Sequence, residues 1–171
     1  MVKLRKFSAY QRLERPYTRI SKYSKKNFVR GGFPNIKLTR FDMGNPRKKY
    51  DCTLQLNSCR SMNIRHNALE AARMSCNRLL EKSLGTNYHL KIKPYPFHVL
   101  RENPIAAGAG ADRMSTGMQL AYGKAVGAAA RVKDGQTVIE LKLDRTNLNL
   151  GKEALGRAAK KMPCTFKIIT Y

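Results

Sequence analysis

The chain has 171 residues, the length of one domain, and 42% of them are hydrophobic, enough for a modest core. Against 11 Asp+Glu stand 34 Lys+Arg, a formal net charge of +23. That excess opposes compaction unless a polyanion neutralises it, which points to RNA or DNA, with an anionic membrane as the competing partner. No apolar run approaches the length of a bilayer span and no signal peptide opens the chain, so a cytoplasmic protein without a membrane partner is expected.

Residues 1–50 hold most of the imbalance, and residues 1–33 show neither a clean 3.6-residue nor a clean 2-residue period. They are expected to form a basic extended arm. Its candidate RNA-binding residues are Lys3, Arg5, Lys6, Arg12, Arg15, Tyr17, Arg19, Lys22, Lys25, Lys26 and Arg30. Tyr10, Tyr17 and Tyr23 interleave these cations, so phosphate contacts and base stacking are available together. Such an arm should be largely disordered in solution and order against RNA. Pro34, after Gly31-Gly32, begins a single globular domain over residues 34–171.

In that domain Ile36 and Leu38 alternate with Lys37 and Thr39, predicting a strand, and Gly44-Asn45-Pro46 predicts a turn. Cys52, Leu54 and Leu56 face one way and Thr53 and Gln55 the other, a half-buried strand over 51–57. A helix is predicted over 63–84. Leu69, Ala72, Cys76, Leu79 and Leu80 make its buried stripe, Arg65, Arg73, Asn77 and Arg78 lie away from it, and Gly85 is its stop. Leu90 and Ile92 predict a strand with His89 outward. Phe97 and Val99 predict another, with His98 on the opposite side. Ala128, Ala130 and Val132 lead into Asp134-Gly135, a hairpin signal, from which Ile139, Leu141 and Leu143 return. A second helix over 150–162 buries Leu150, Ala154, Leu155, Ala158 and Met162. A last strand over 164–169 turns Phe166 and Ile168 inward. The fold class is α+β: a mixed, mostly antiparallel sheet packed against two helices.

Between these strands lies a segment with almost no side chains. Its loop is Glu102, Asn103, Pro104, Ile105, Ala106, Ala107, Gly108, Ala109, Gly110, Ala111 and Asp112. A loop this long is usually functional or disordered, and its smallness suits a finger entering a crowded place. A mobile linker is the plain alternative. Gly108-x-Gly110 meets Arg113 where a third glycine would stand, and no Gly-Lys-Ser/Thr follows, so both phosphate-binding fingerprints fail. Arg101, Arg113 and Lys124 flank the loop as candidate RNA-binding cations.

His98-Val99-Leu100-Arg101, Ala109-Gly110-Ala111-Asp112-Arg113, Thr116-Gly117-Met118, Gly123-Lys124 and Ala129-Ala130-Arg131-Val132 stand in that order. Leu69-Glu70-Ala71-Ala72-Arg73 and Arg157 to Pro163 add two further blocks. From about Arg15 to the C-terminus the chain closely resembles the archaeal and eukaryotic L-ten-e branch of a universal large-subunit ribosomal protein, counterpart of bacterial L-sixteen. The resemblance implies an α+β domain bound to large-subunit rRNA beside the aminoacyl-tRNA site, with the loop pointing toward the peptidyl transferase centre. The implied partners are large-subunit rRNA, tRNA in the aminoacyl site and neighbouring ribosomal proteins.

Catalytic chemistry finds little footing. Cys52, Cys59, Cys76 and Cys164 form no CxxC and no zinc-finger spacing with histidine, and Cys52, Cys76 and Cys164 fall on apolar faces. His66, His89 and His98 accompany no nucleophile motif, and Asp112 beside Arg113 suits a turn better than a general base. No cofactor, metal or catalytic residue is expected. An RNA-processing enzyme with a Gly-rich loop is the second hypothesis, and turnover at substoichiometric amounts would separate it from a ribosomal constituent.

Overall fold

The computed structural model describes residues 6–13, 34–102, 108 and 124–171. In chain order the strands are β1 (Asp42–Gly44), β2 (Cys52–Ser58), β3 (Met62–Arg65), β4 (His89–Ile92), β5 (His98–Glu102), β6 (Lys124–Val132), β7 (Thr137–Leu143) and β8 (Phe166–Thr170). Helix α1 (His66–Leu84) follows β3, and α2 (Leu148–Ala159) precedes β8. The class is α+β.

Two sheets replace the one expected. Five strands run in the order β1-β4-β7-β2-β8 and three in the order β3-β6-β5, and every pair among the described residues is antiparallel. Apolar side chains of both sheets and both helices join in one core. Leu54 and Leu56 of β2, Leu141 and Leu143 of β7, Leu69 and Leu80 of α1, Leu155 of α2 and Ile64 of β3 are all buried in it. Helix α1 packs against α2 and also against β3 and β6, while α2 packs on β2 and β7, so the two helices link the sheets. Helix α2 lies on β2 and β7 so closely that a side chain at Gly151 would run into Leu143 Cδ1 and come within 2.6 Å of Leu54 Cδ1. A hydrogen at that position is what lets the helix settle onto the sheet.

Several local expectations change under tertiary pairing. Residues 62–65 form β3 rather than the first turn of α1, because they pair with Ala129–Val132 of β6. Residues 36–39 keep an alternating burial, with Leu38 inside, but form no strand; the ladder begins at Asp42. The turn at Asp134-Gly135 forms, yet β6 and β7 do not pair across it. Gly135 and Gln136 instead exchange main-chain bonds with Ser58 (2.8 and 3.0 Å), sending β7 into the five-stranded sheet between β4 and β2. The turn at 44–46 requires its glycine: Gly44 has φ +83°, and a Cβ there would collide with the Tyr88 carbonyl that accepts the Asn45 N–H at 2.8 Å.

Candidate RNA interface

The three-stranded sheet builds the base of the small-residue loop. β5 and β6 pair from His98↔Ala129 to Glu102↔Lys124, so residues 103–123 connect two strands already held together. Leu100 faces Gly127 but Arg101 faces Ala125, leaving Val126 as an extra residue in β6. Such a bulge bends and twists a ladder, re-aiming the residues beyond it. Ala128, Ala129, Ala130 and Val132 are wholly buried, so β6 is clamped between β3 and β5 with α1 against it. Gly127 in it lies over His66: a Cβ there would meet the Nε2 at 3.7 Å, an ordinary van der Waals contact.

His66 opens α1 beneath this strand and is buried. Its Nδ1 accepts the main-chain N–H of Lys37 at 2.9 Å, tying segment 34–41 to the helix start. Burial, reinforced by the charge of Lys37, lowers its pKa from the ordinary 6.5. The imidazole is thus a neutral structural acceptor.

The outer edge of β3 is covered by the start of the N-terminal arm. Residues 7–10 make a short 3-10 turn, and Phe7 packs against the core. Asn63 donates its side-chain amide to the Tyr10 carbonyl (3.0 Å) and the Arg12 carbonyl (2.7 Å), while its main-chain N–H reaches Gln11 O at 3.3 Å. Arg65 donates to Lys6 O at 3.3 Å and lies 4.8 Å over the Tyr10 ring. An arm expected to lack fixed structure therefore has residues 6–13 seated on the domain. The same contacts leave the side chains of Lys6 and Arg12 exposed.

Of the remaining candidates, Lys124 is exposed, and Arg101 and Glu102 are half-buried at the end of the β5–β6 ladder. Gly108 is exposed with φ +136°. Lys3, Arg5, Arg15, Tyr17, Arg19, Lys22, Lys25, Lys26, Arg30 and Arg113 lie outside the described residues, as do Asn103, Pro104, Ile105, Ala106, Ala107, Ala109, Gly110, Ala111 and Asp112.

Other polar groups serve the fold rather than a ligand. Arg73, expected to point away from the core, is half-buried. It holds Glu70 through two bonds, 2.9 and 2.6 Å, and reaches Met43 Sδ at 3.3 Å. His89 turns inward beside Leu90 and bonds Asp42 at 3.0 Å, because β1 pairs along β4 there. His98 is buried and Phe97 exposed, the reverse of the predicted alternation. Burial would push Glu140 upward, but Lys93 at 2.6 Å and Lys142 at 3.7 Å outweigh it and hold the carboxyl below its usual range. Burial pushes the Cys76 thiol up to about 12, which removes it from nucleophilic chemistry. Among the described residues no group of three or more His, Cys, Asp or Glu could hold a metal ion, and no helix is long and apolar enough to cross a membrane.

A bulged two-stranded base carrying a Gly/Ala segment, on a strongly basic α+β domain, can be compared with known proteins. The family model for ribosomal protein L16p/L10e matches residues 18–169. The chain belongs to that family. Among similar proteins, the large ribosomal subunit protein uL16 of Methanospirillum hungatei is 49% identical over 142 residues, covering 82% of this chain and 83% of its own length. Those of Methanocella arvoryzae and Archaeoglobus fulgidus are 46% and 44% identical over 148 and 161 residues. They cover 86% and 94% of this chain, and 86% and 88% of their own lengths. The family is structural rather than enzymatic, which removes the RNA-processing alternative.

The Arg65–Tyr10 contact and the role of Asn63 escaped sequence reasoning because both residues fell inside a predicted helix. A signal was present: Met62, Ile64 and the following Arg65 alternate as a strand does.

Proposed function

We propose that this chain is a structural constituent of the large ribosomal subunit that binds its rRNA beside the aminoacyl-tRNA site and supports tRNA positioning near the peptidyl transferase centre. The constituent role, the cytoplasmic ribosome as its place, and rRNA and ribosomal proteins as partners follow from the family and from relatives named for that subunit. The finer assignment rests on one observation. The β5–β6 ladder holds Glu102 opposite Lys124, so the two ends of the small-residue loop are fixed at the open end of a sheet whose next residues, 98–100 and 127–130, are buried, with Arg101 one residue before Glu102. A segment with little side-chain area and anchored ends fits between crowded RNA strands, where bulky side chains would clash. Its role is to position tRNA, not to perform chemistry.

In this reading Arg101, Arg113 and Lys124 meet phosphates at the loop base. The arm cations from Lys3 to Arg30 neutralise rRNA, with Tyr17 stacking among them. The test is to place a chain lacking residues 105–110 in ribosomes deprived of the native copy. Bulk rRNA affinity and folding should stay unchanged, while tRNA accommodation and peptide-bond formation fall. Full activity without the loop would reduce it to a linker.

A further inference from the structure

Between β4 and β5 runs Pro94-Tyr95-Pro96-Phe97, in which both prolines are buried and both aromatics exposed, Tyr95 at 51% and Phe97 at 44%. Proline fixes its own φ, and the Phe97 N–H closes back onto the Tyr95 carbonyl at 3.0 Å, a three-residue turn about Pro96. The backbone that carries the two rings is thus restrained before anything binds. Behind it stands Phe41, half-buried against the core, whose carbonyl accepts the Ile92 N–H at 2.9 Å. The rings of Phe41 and Tyr95 have centroids 5.3 Å apart at 24°, and those of Tyr95 and Phe97 6.5 Å apart at 16°. Three nearly parallel rings thus lead from the core edge into solvent. Among the described residues, the outer two are large apolar rings left exposed.

We infer that Phe41, Tyr95 and Phe97 form a stacking platform for an unpaired nucleobase of the bound RNA. The site deepens the rRNA-binding reading and rests on it. A base offers a flat π face to a flat, open ring, whatever its identity, and the stack needs no groove of the kind a peptide side chain enters. Charge favours the same occupant. Arg40 adjoins Phe41 and is exposed, and Lys91 and Lys93, 43% and 41% exposed, lead into the turn. Lys93 holds Glu140 at 2.6 Å and Lys91 lies 3.7 Å from Asp42, so Arg40 is the cation best placed in sequence for a flanking phosphate. Because the prolines narrow the backbone that carries the rings, binding has less main chain to order.

The chain contains no tryptophan, so Phe97→Trp installs a single reporter at the end of the stack. The full-length Phe97→Trp chain is titrated with large-subunit rRNA, with an unstructured RNA oligonucleotide and with a fully paired duplex. Emission should be quenched by the first two and little changed by the duplex. In the otherwise native chain, Tyr95→Leu with Phe97→Leu should weaken rRNA binding roughly fivefold or more, as loss of a stacked base does. The slope of affinity against salt should stay the same, since no phosphate contact is lost. A matching melting temperature shows that the variant folds. Unchanged emission and affinity, with native binding to rRNA intact, would overturn the platform and leave the rRNA reading standing. Quenching by purified neighbouring ribosomal proteins and not by RNA would overturn it in favour of a protein contact. Failure of the native chain to bind rRNA at all would remove both readings.

Discussion

Asn63 donates its side-chain amide to the Arg12 carbonyl at 2.7 Å, joining the basic arm to the edge of β3 across 51 positions of sequence. The same amide serves Tyr10 O, and Asn63 is nearly inaccessible to solvent, so its loss leaves two main-chain acceptors without this donor. Replacing Asn63 with Ala should cost about 0.5–1.5 kcal/mol, the net worth of a hydrogen bond, because the acceptors on the half-exposed arm can turn to water. Hydrogen exchange should speed up in residues 6–13 first. A variant with native melting temperature and native exchange there would show that Phe7, Arg65 and the main-chain bond from residue 63 to Gln11 O suffice to hold the arm.

The fit of α2 on the sheet gives a paired prediction. Gly151→Ala should destabilise by about 1–3 kcal/mol, because the added methyl must displace Leu143 and Leu54. Gly156 lies on the same helix with nothing within 4 Å of where a Cβ would sit. Gly156→Ala should therefore stabilise by about 0.5–1 kcal/mol through helix propensity. Denaturant melts of the two variants should move in opposite directions.

His66 makes stability depend on pH. Its folded pKa lies below the ordinary 6.5, so above that value the group is neutral in both states and its contribution is complete. As pH falls through 6.5 the unfolded chain binds a proton that the folded chain resists, and stability is lost. Glu140, held low by Lys93 and Lys142, loses its contribution only at more acid pH. Melting temperature should thus decline between about pH 7 and pH 5. His66→Gln, which retains a side-chain acceptor for the Lys37 N–H, should flatten the decline. An identical slope in the variant would assign the effect elsewhere.

The arm predicts a salt effect separate from folding. Changing Arg15, Arg19, Lys22, Lys25 and Lys26 to Gln, with residues 6–13 intact, should flatten the dependence of log affinity on log salt by about 0.7–0.9 for each phosphate contact removed. Weakening should be similar for unrelated RNA sequences, because phosphates carry no sequence information. Filter binding over a salt series measures both. An unaltered slope would exclude these five residues from the phosphate contacts.

Features that depend on neighbours along the chain were legible in residue order alone. The Leu54/Leu56 face of β2, the Leu69–Ala72–Cys76–Leu80 stripe of α1, its stop at Gly85, and Ala154, Leu155 and Ala158 of α2 are all where periodicity put them. The charge of +23 and the ordered family blocks likewise pointed to RNA and the ribosome. Which edges meet was settled by tertiary pairing. Periodicity reports the apolar face of an element, but hydrogen bonds run in the plane of a sheet, where alternation carries no signal. Residues 62–65 are a strand because β6 lies beside them, and β7 leaves its turn for another sheet because Ser58 takes up the bonds at 135–136. His98 goes inward and Phe97 outward because the chain between β4 and β5 turns about Pro96. The seat of residues 6–13 has the same origin: Asn63 and Arg65 bind carbonyls, which every residue type supplies, and the places of Phe7 on the core and of Tyr10 under Arg65 exist only once β3 has formed.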